Sequence, residues 1–93
     1  MQNDIKATNF VAASSPDTAI NHRARVRSIN YVSSASAGSI VLKNGSTGAT
    51  LLTVVTPAGI GGHDVVIPDA GILFSDQVYC TLTNVTSVTI FHS

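Results

Sequence analysis

The stretch Val78-Tyr79-Cys80-Thr81-Leu82-Thr83-Asn84-Val85-Thr86-Ser87-Val88-Thr89-Ile90-Phe91-His92 decides the fold class. Val78, Cys80 and Leu82 alternate with Tyr79 and Thr81, and Val88, Ile90 and His92 alternate with Thr89 and Phe91. A period of two belongs to strands with one face in a core. Thr83-Asn84-Val85-Thr86 interrupts the pattern, so the segment reads as two strands joined by a turn, a hairpin.

The same reading extends toward the N-terminus. Ile72-Leu73-Phe74 makes a short strand ending at Ser75-Asp76, and Asp64 to Ile67 makes another, stopped by Pro68-Asp69-Ala70-Gly71. Pro57 to His63 is the most glycine-rich part of the chain and reads as a loop. Ser39 to Lys43 and Ala49 to Thr56 flank Asn44-Gly45-Ser46-Thr47-Gly48, residues that tolerate the positive φ of a reversal, and are expected to pair as a hairpin. In Arg23 to Ser33 the large apolar residues Val26, Ile29 and Tyr31 break alternation once. One extra residue near Arg27-Ser28 would return all three to one face, so a β-bulge is predicted there. Ile5 to Val11 forms a first strand, and Ala12 to Asn21, with its Ser-Ser-Pro-Asp, reads as a loop or wrapping arm.

The sum is about eight short strands with turn signals roughly every 8 to 12 residues and no helix that could organise a parallel sheet. The expected fold is all-β: a single-domain antiparallel β-sandwich, jelly-roll-like, with residues 1–22 as an N-terminal strand and arm and 23–93 as the sandwich.

Composition bears on how such a domain lives. At 93 residues the chain buries only about 60 to 65% of its unfolded surface. Small domains supplement a limited core with disulfides, a metal or partner subunits. One cysteine, Cys80, removes the first option. Five Lys and Arg balance five Asp, and charged residues are 11% of the chain against about 25% in ordinary domains. A neutral, Ser- and Thr-rich surface repels little, which suits a subunit in an assembly. Met1 to Lys6 has no charged n-region leading into an apolar run, and no segment has the length of a membrane span, so no export signal and no membrane partner are expected.

The residues that carry chemistry elsewhere have plain readings here. His63-Asp64 follows Gly59 to Gly62, but a phosphate loop requires a strand before, a helix after and a Lys with a hydroxyl at fixed spacing. His22, His63 and His92 lack metal-pair spacing. Cys80 alternates with Val78 and Leu82 as a buried small hydrophobe would. No Gly-x-Ser-x-Gly elbow or Cys/His signature is present. The expectation is therefore no enzyme, with no catalytic, cofactor-binding or metal residues and no cofactor. Asn44-Gly45-Ser46 and Asn84-Val85-Thr86 match glycosylation sequons, but short sequons arise by chance and no secretion signal accompanies them.

The densest charge is Arg23, Arg25 and Arg27, on one strand face if the strand is regular before the bulge. Guanidinium forks hold phosphates or carboxylates bidentately. Binders of single-stranded nucleic acid interleave aromatics for base stacking, and only Tyr31 is close, so no nucleic-acid partner is expected and acidic groups of a protein are. Leu51-Leu52-Thr53-Val54-Val55 and Ser87-Val88-Thr89-Ile90-Phe91 combine β-propensity with no charge. Each must be a central strand or lie under a partner.

Arg25 to Gly45 (RVRSINYVSSASAGSIVLKNG), Ala70 to Phe74 (AGILF) and Thr81 to Phe91 (TLTNVTSVTIF) resemble small virion proteins of tailed phages infecting marine bacteria. The likeness covers roughly Arg23 to Ser93 and leaves out the N-terminal segment. It implies a structural component of the head or tail. The resulting expectation is a capsid decoration or cement protein at the virion surface, present in many copies or as a homo-oligomer. Its partners would be the major capsid protein or other virion subunits. Ile5, Phe10, Arg23, Arg25 and Arg27 are the expected interface residues. A tail, neck or fibre-associated subunit is the structural alternative. A carbohydrate- or host-surface-binding module is the alternative of another class, disfavoured by the absence of Trp.

Overall fold

The computed structural model describes residues 5–67 and 71–93. Nine strands are described: β1 (Lys6–Val11), β2 (Asp17–Ile20), β3 (Ala24–Ser33), β4 (Gly38–Lys43), β5 (Thr50–Thr56), β6 (Gly61–Val66), β7 (Ile72–Phe74), β8 (Val78–Thr83) and β9 (Val85–His92). They form two antiparallel sheets. One runs β1-β9-β3-β6, with β7 continuing the β6 side of β3, and the other runs β2-β8-β4-β5. Phe10, Val26, Ile29, Tyr31, Val88 and Ile90 from the first sheet meet Ile20, Ile40, Leu42, Val78 and Cys80 from the second in one shared core. The chain is thus an antiparallel β-sandwich.

The bulge lies where the broken alternation places it. Val26 pairs with His92 and Ser28 with the adjacent Phe91, so Arg27 is the extra residue. Val26, Ile29 and Tyr31 are consequently all buried. On the other side of β3, Arg27 marks the changeover between neighbours. Ser28 pairs with Val66 of β6, Val26 pairs with Ile72 of β7, and the Ile67 amide donates to the Arg27 carbonyl between them at 3.0 Å.

Three expectations are corrected. β8 and β9 do not pair with each other: β8 lies between β2 and β4, and β9 between β1 and β3. Their connection is an arch through the single residue Asn84 at φ 52, a left-handed conformation that Asn tolerates. Asn84 is held there by its Nδ2 donating to Ala37 O at 3.0 Å and its carbonyl accepting from Ser34 Oγ at 2.8 Å. An alternating pattern states which face of a strand is buried, and an arch places two such faces opposite each other as readily as a hairpin places them side by side. Secondly, residues 12–21 are no free arm. After a 3-10 turn at Ala12–Ser14 the chain enters β2, which pairs with β8 through Asp17↔Cys80 and Ile20↔Val78. Ser15 anchors the entry, its Oγ accepting from the Leu82 amide at 2.7 Å. Thirdly, Gly61, Gly62 and His63 belong to β6 rather than to a loop, with His63 paired to Tyr31 and its ring centroid 5.2 Å from the tyrosine's.

The hairpin of β4 and β5 forms as expected, from Gly38↔Thr56 to Lys43↔Thr50. Gly45 takes φ 89 in its turn, and the Asn44 amide donates to Ala49 O at 2.9 Å. The buried hydroxyls are satisfied, as burial requires. Thr56 Oγ1 accepts from the Gly38 amide at 3.0 Å, and Ser33 Oγ donates to the carbonyls of Gly59 and Gly61, tying down the β5–β6 loop.

Candidate interaction surface

The strand faces assign each expected interface residue to a place. In β3, Ala24 and Val26 point into the core, so Arg25 points out, and Arg27 stands at the bulge. Arg23 precedes the strand and is exposed. Arg25 and Arg27 are half-buried, and both are tied to the C-terminus of the chain: the Arg25 backbone exchanges hydrogen bonds with Ser93, and Arg27 Nε donates to Ser93 Oγ at 3.5 Å. Ile5 is 45% exposed just ahead of β1. Phe10 is corrected. It was expected at an interface, but it pairs with Val88 and sits at 6% exposure inside the sandwich. Period two explains this, since Thr8 and Phe10 share the inner face of β1 while Asn9 and Val11 face out. Met1 to Asp4, the rest of the expected arm, lie outside the described residues.

Large apolar side chains also remain exposed on β5, the loop after it and β6. Val55 of β5 is 79% exposed, Ile60 of the following loop 81% and Val66 of β6 78%. Leu51 of β5 is exposed as well. Leu52, Val54 and Thr56 take the inner face of β5, leaving Leu51, Thr53 and Val55 outward. The outer surface of that sheet continues across β4 with Ser39, Val41 and Lys43 and across β8 with Tyr79, Thr81 and Thr83. Lys43 is the one charged side chain in those three rows.

Titratable groups with perturbed environments belong to the core. Burial pushes the Cys80 thiol up to about 12, so it stays protonated and inert. His92 closes the β1 end of the core at 3% exposure, with Nε2 2.8 Å from Thr8 Oγ1. Its buried Nδ1 has no hydrogen-bond partner among the described residues. Desolvation first, then the charges of His22 and Lys6, hold its pKa below the ordinary histidine value. Among the described residues no three His, Cys, Asp or Glu side chains gather as a metal site would require.

One end of the sandwich carries a shallow polar depression of ≈ 530 Å³ between Asn21, the 44–48 turn and Ser75–Gln77. Its groups satisfy one another: Asn44 Nδ2 donates to Ser75 Oγ at 3.0 Å, Asn44 Oδ1 accepts from the Asp76 amide at 2.9 Å, and Gln77 Nε2 donates to Asn21 Oδ1. The network fixes three loops against each other.

No protein family, curated protein or solved structure matches the chain.

Proposed function

We propose that this protein is a structural subunit whose work is to pack against other subunits, in the first instance as a decoration or cement protein on the head of a tailed phage. The observation that carries the reading is a neutral sandwich whose edge strand β5 and the loop after it leave the large apolar side chains Leu51, Val55 and Ile60 exposed. Large apolar groups left exposed on a surface with few charges mark contact with other protein. The sequence resemblance to small virion proteins supplies the particle. A cement subunit adds buried area across boundaries between shell subunits, and repetition over many sites turns a modest contact into a large stabilisation.

The test is the location and copy number of the protein in purified particles, by imaging and quantitative mass spectrometry. On the order of hundreds of copies on the shell supports the cement role, whereas on the order of a dozen places the subunit in the tail or neck. Shells that lack the protein and resist heat and low salt as well as complete particles would overturn the proposal. The depression lined by Asn21, Asn44, Ser75, Asp76 and Gln77 favours a second reading, a carbohydrate-binding module, because amides and hydroxyls are the groups that hydrogen-bond sugars. Its lining has no aromatic for sugar stacking, which ranks it second. Binding of the isolated domain on a glycan array would reverse that order.

A further inference from the structure

Of the two uncharged segments that demanded cover, one has it. Ser87 to Phe91 lies in β9, between β1 and β3. Leu51 to Val55 lies in β5, which pairs with β4 alone, so among the described strands nothing meets its other edge. The remaining edges carry the devices that discourage strand addition. β1 has Lys6, β2 has Asp17, β6 has Asp64, and β7 is only three residues long. β5 spans seven residues with no charge, no proline and no glycine. Its one irregularity is at Leu51, where Leu42 pairs with Leu52 and Lys43 with Thr50, so the regular part of the edge runs from Leu52 to Thr56. Apolar, uncharged edges of this kind pair with another strand.

The sequence of β5 says which strand. Read from Thr50 to Thr56 it is Thr-Leu-Leu-Thr-Val-Val-Thr, which has the same chemical pattern in either direction. An antiparallel partner centred on Thr53 would set Leu52 opposite Val54 and Thr53 opposite itself in the regular part of the strand, with Leu51 and Thr50, at and beyond the bulge, facing Val55 and Thr56. Every cross-strand pair is then aliphatic with aliphatic or threonine with threonine, the kinds of pair that stabilise a sheet. That self-matching is the condition for a two-fold interface, in which one surface serves both subunits.

We propose that β5 is a homodimerisation edge: two copies of this chain join β5 to β5 antiparallel about Thr53, making one continuous sheet β2-β8-β4-β5-β5-β4-β8-β2. The half-buried Leu52 and Val54 on the inner side would gain cover from their counterparts, and the exposed Leu51 and Val55 would meet across the outer side. The absence of charge on β5 removes the repulsion that identical charged edges would impose. A standard interface takes about 800 Å² from each partner, near a sixth of the 5001 Å² this chain exposes. One seven-residue strand is a smaller share, so the dimer is expected to assemble over micromolar concentrations. The inference does not depend on the virion reading, and it is tested on the purified chain alone.

The register makes the test sharp. Opposing residues in an antiparallel pair have Cα atoms about 4.5 to 5.5 Å apart, within disulfide reach. The proposed pairing brings Thr53 opposite Thr53, while Leu51 of one copy lies four residues, about 13 Å, from Leu51 of the other. Under mild oxidation the T53C variant should cross-link rapidly into a dimer and the L51C variant should not, while the L51C/V55C double variant should. Cys80 is buried and takes no part. Sedimentation velocity of the unmodified chain should show a monomer–dimer equilibrium that T53K, which sets two ammonium groups on the two-fold axis, shifts at least tenfold toward monomer. T47K, in the exposed β4–β5 turn, should leave it unchanged. A chain that stays monomeric up to about 1 mM, or that cross-links through position 51 as readily as through 53, overturns the proposal.

Discussion

Deleting single residues from β3 provides a direct test of the bulge. Arg27 is the extra residue between Val26↔His92 and Ser28↔Phe91, so its removal leaves Ala24, Val26, Ile29 and Tyr31 in strict alternation and the ladder to β9 regular from Val26 to Val32. The loss is the Arg27 carbonyl that accepts from Ile67, about 1 to 2 kcal/mol for one hydrogen bond with some strain in the β6–β7 connection. Asn30 lies three residues on and also faces outward, yet its deletion makes Ile29 and Tyr31 adjacent, and adjacent strand residues take opposite faces. With Tyr31 kept inside, the segment before it slips: Ile29 moves to the surface and Ser28 enters the core. Exposing Ile29 costs about 1.5 to 3 kcal/mol, and burying an unpaired hydroxyl about 1 to 3 kcal/mol more. A domain of this size has a total stability of about 5 to 14 kcal/mol, so the Asn30 deletion removes a large part of it. Urea unfolding followed by far-UV circular dichroism separates the two through their midpoints at constant m-value. If deleting Arg27 destabilises as much as deleting Asn30, the reading of β3 is wrong.

Three further predictions follow from single positions. His92 is buried with its pKa depressed, so its contribution to stability is present above the ordinary histidine pKa near 6.5 and is lost as pH falls toward the folded-state value. Urea midpoints of the wild type should therefore fall more between neutral and mildly acidic pH than those of H92Q, which cannot titrate; equal slopes would show that another group is responsible. Gly71 has φ 83, and a Cβ there would run into the Val26 carbonyl, whereas Gly59 at φ 109 has open space around it. G71A should thus lose at least about 2 kcal/mol more than G59A, which bears only the backbone strain of about 1 to 2 kcal/mol, as measured by thermal or urea denaturation. Phe74 is fully buried on the three-residue β7, and F74A should cost about 3 to 5 kcal/mol, with an accompanying rise in amide exchange across Ala24 to Val26, its partners on β3.

The parts of this fold that were legible are those in which face is everything. Val26, Ile29 and Tyr31 can share a core only through a bulge, and a strand of three large apolar residues leaves that trace in its spacing. Pairing is a different quantity. Val78-Cys80-Leu82 and Val88-Ile90-His92 declare two buried faces, but whether the faces lie in one sheet or oppose each other depends on Asn84 and its contacts with Ser34 and Ala37, which are remote in sequence. β2 was illegible because Asp17–Ile20 has one large apolar residue and follows Pro16, so its strand state comes from β8 rather than from its own pattern. At the candidate surface, alternation alone places Arg25 outward in β3 and Phe10 inward in β1. Which of the two uncharged segments lies at an edge depends on strand order and could not be read from either segment.

The stacking of consecutive strands bears on synthesis. β1 and β2, and likewise β8 and β9, lie in different sheets, and the sheet that begins with β1 has the last strand, β9, as its centre, with Lys6 beside His92. β9 must emerge from the ribosome before β1 and β3 acquire the neighbour that joins them. The β2-β8-β4-β5 sheet and the pairings of β3 with β6 and β7 need only strands that precede β9. Closing of the β1-β9-β3 sheet therefore waits on the most distant pairing and is slow, in the range of milliseconds to seconds typical of non-local β topologies, with the newborn chain exposed to association in the meantime.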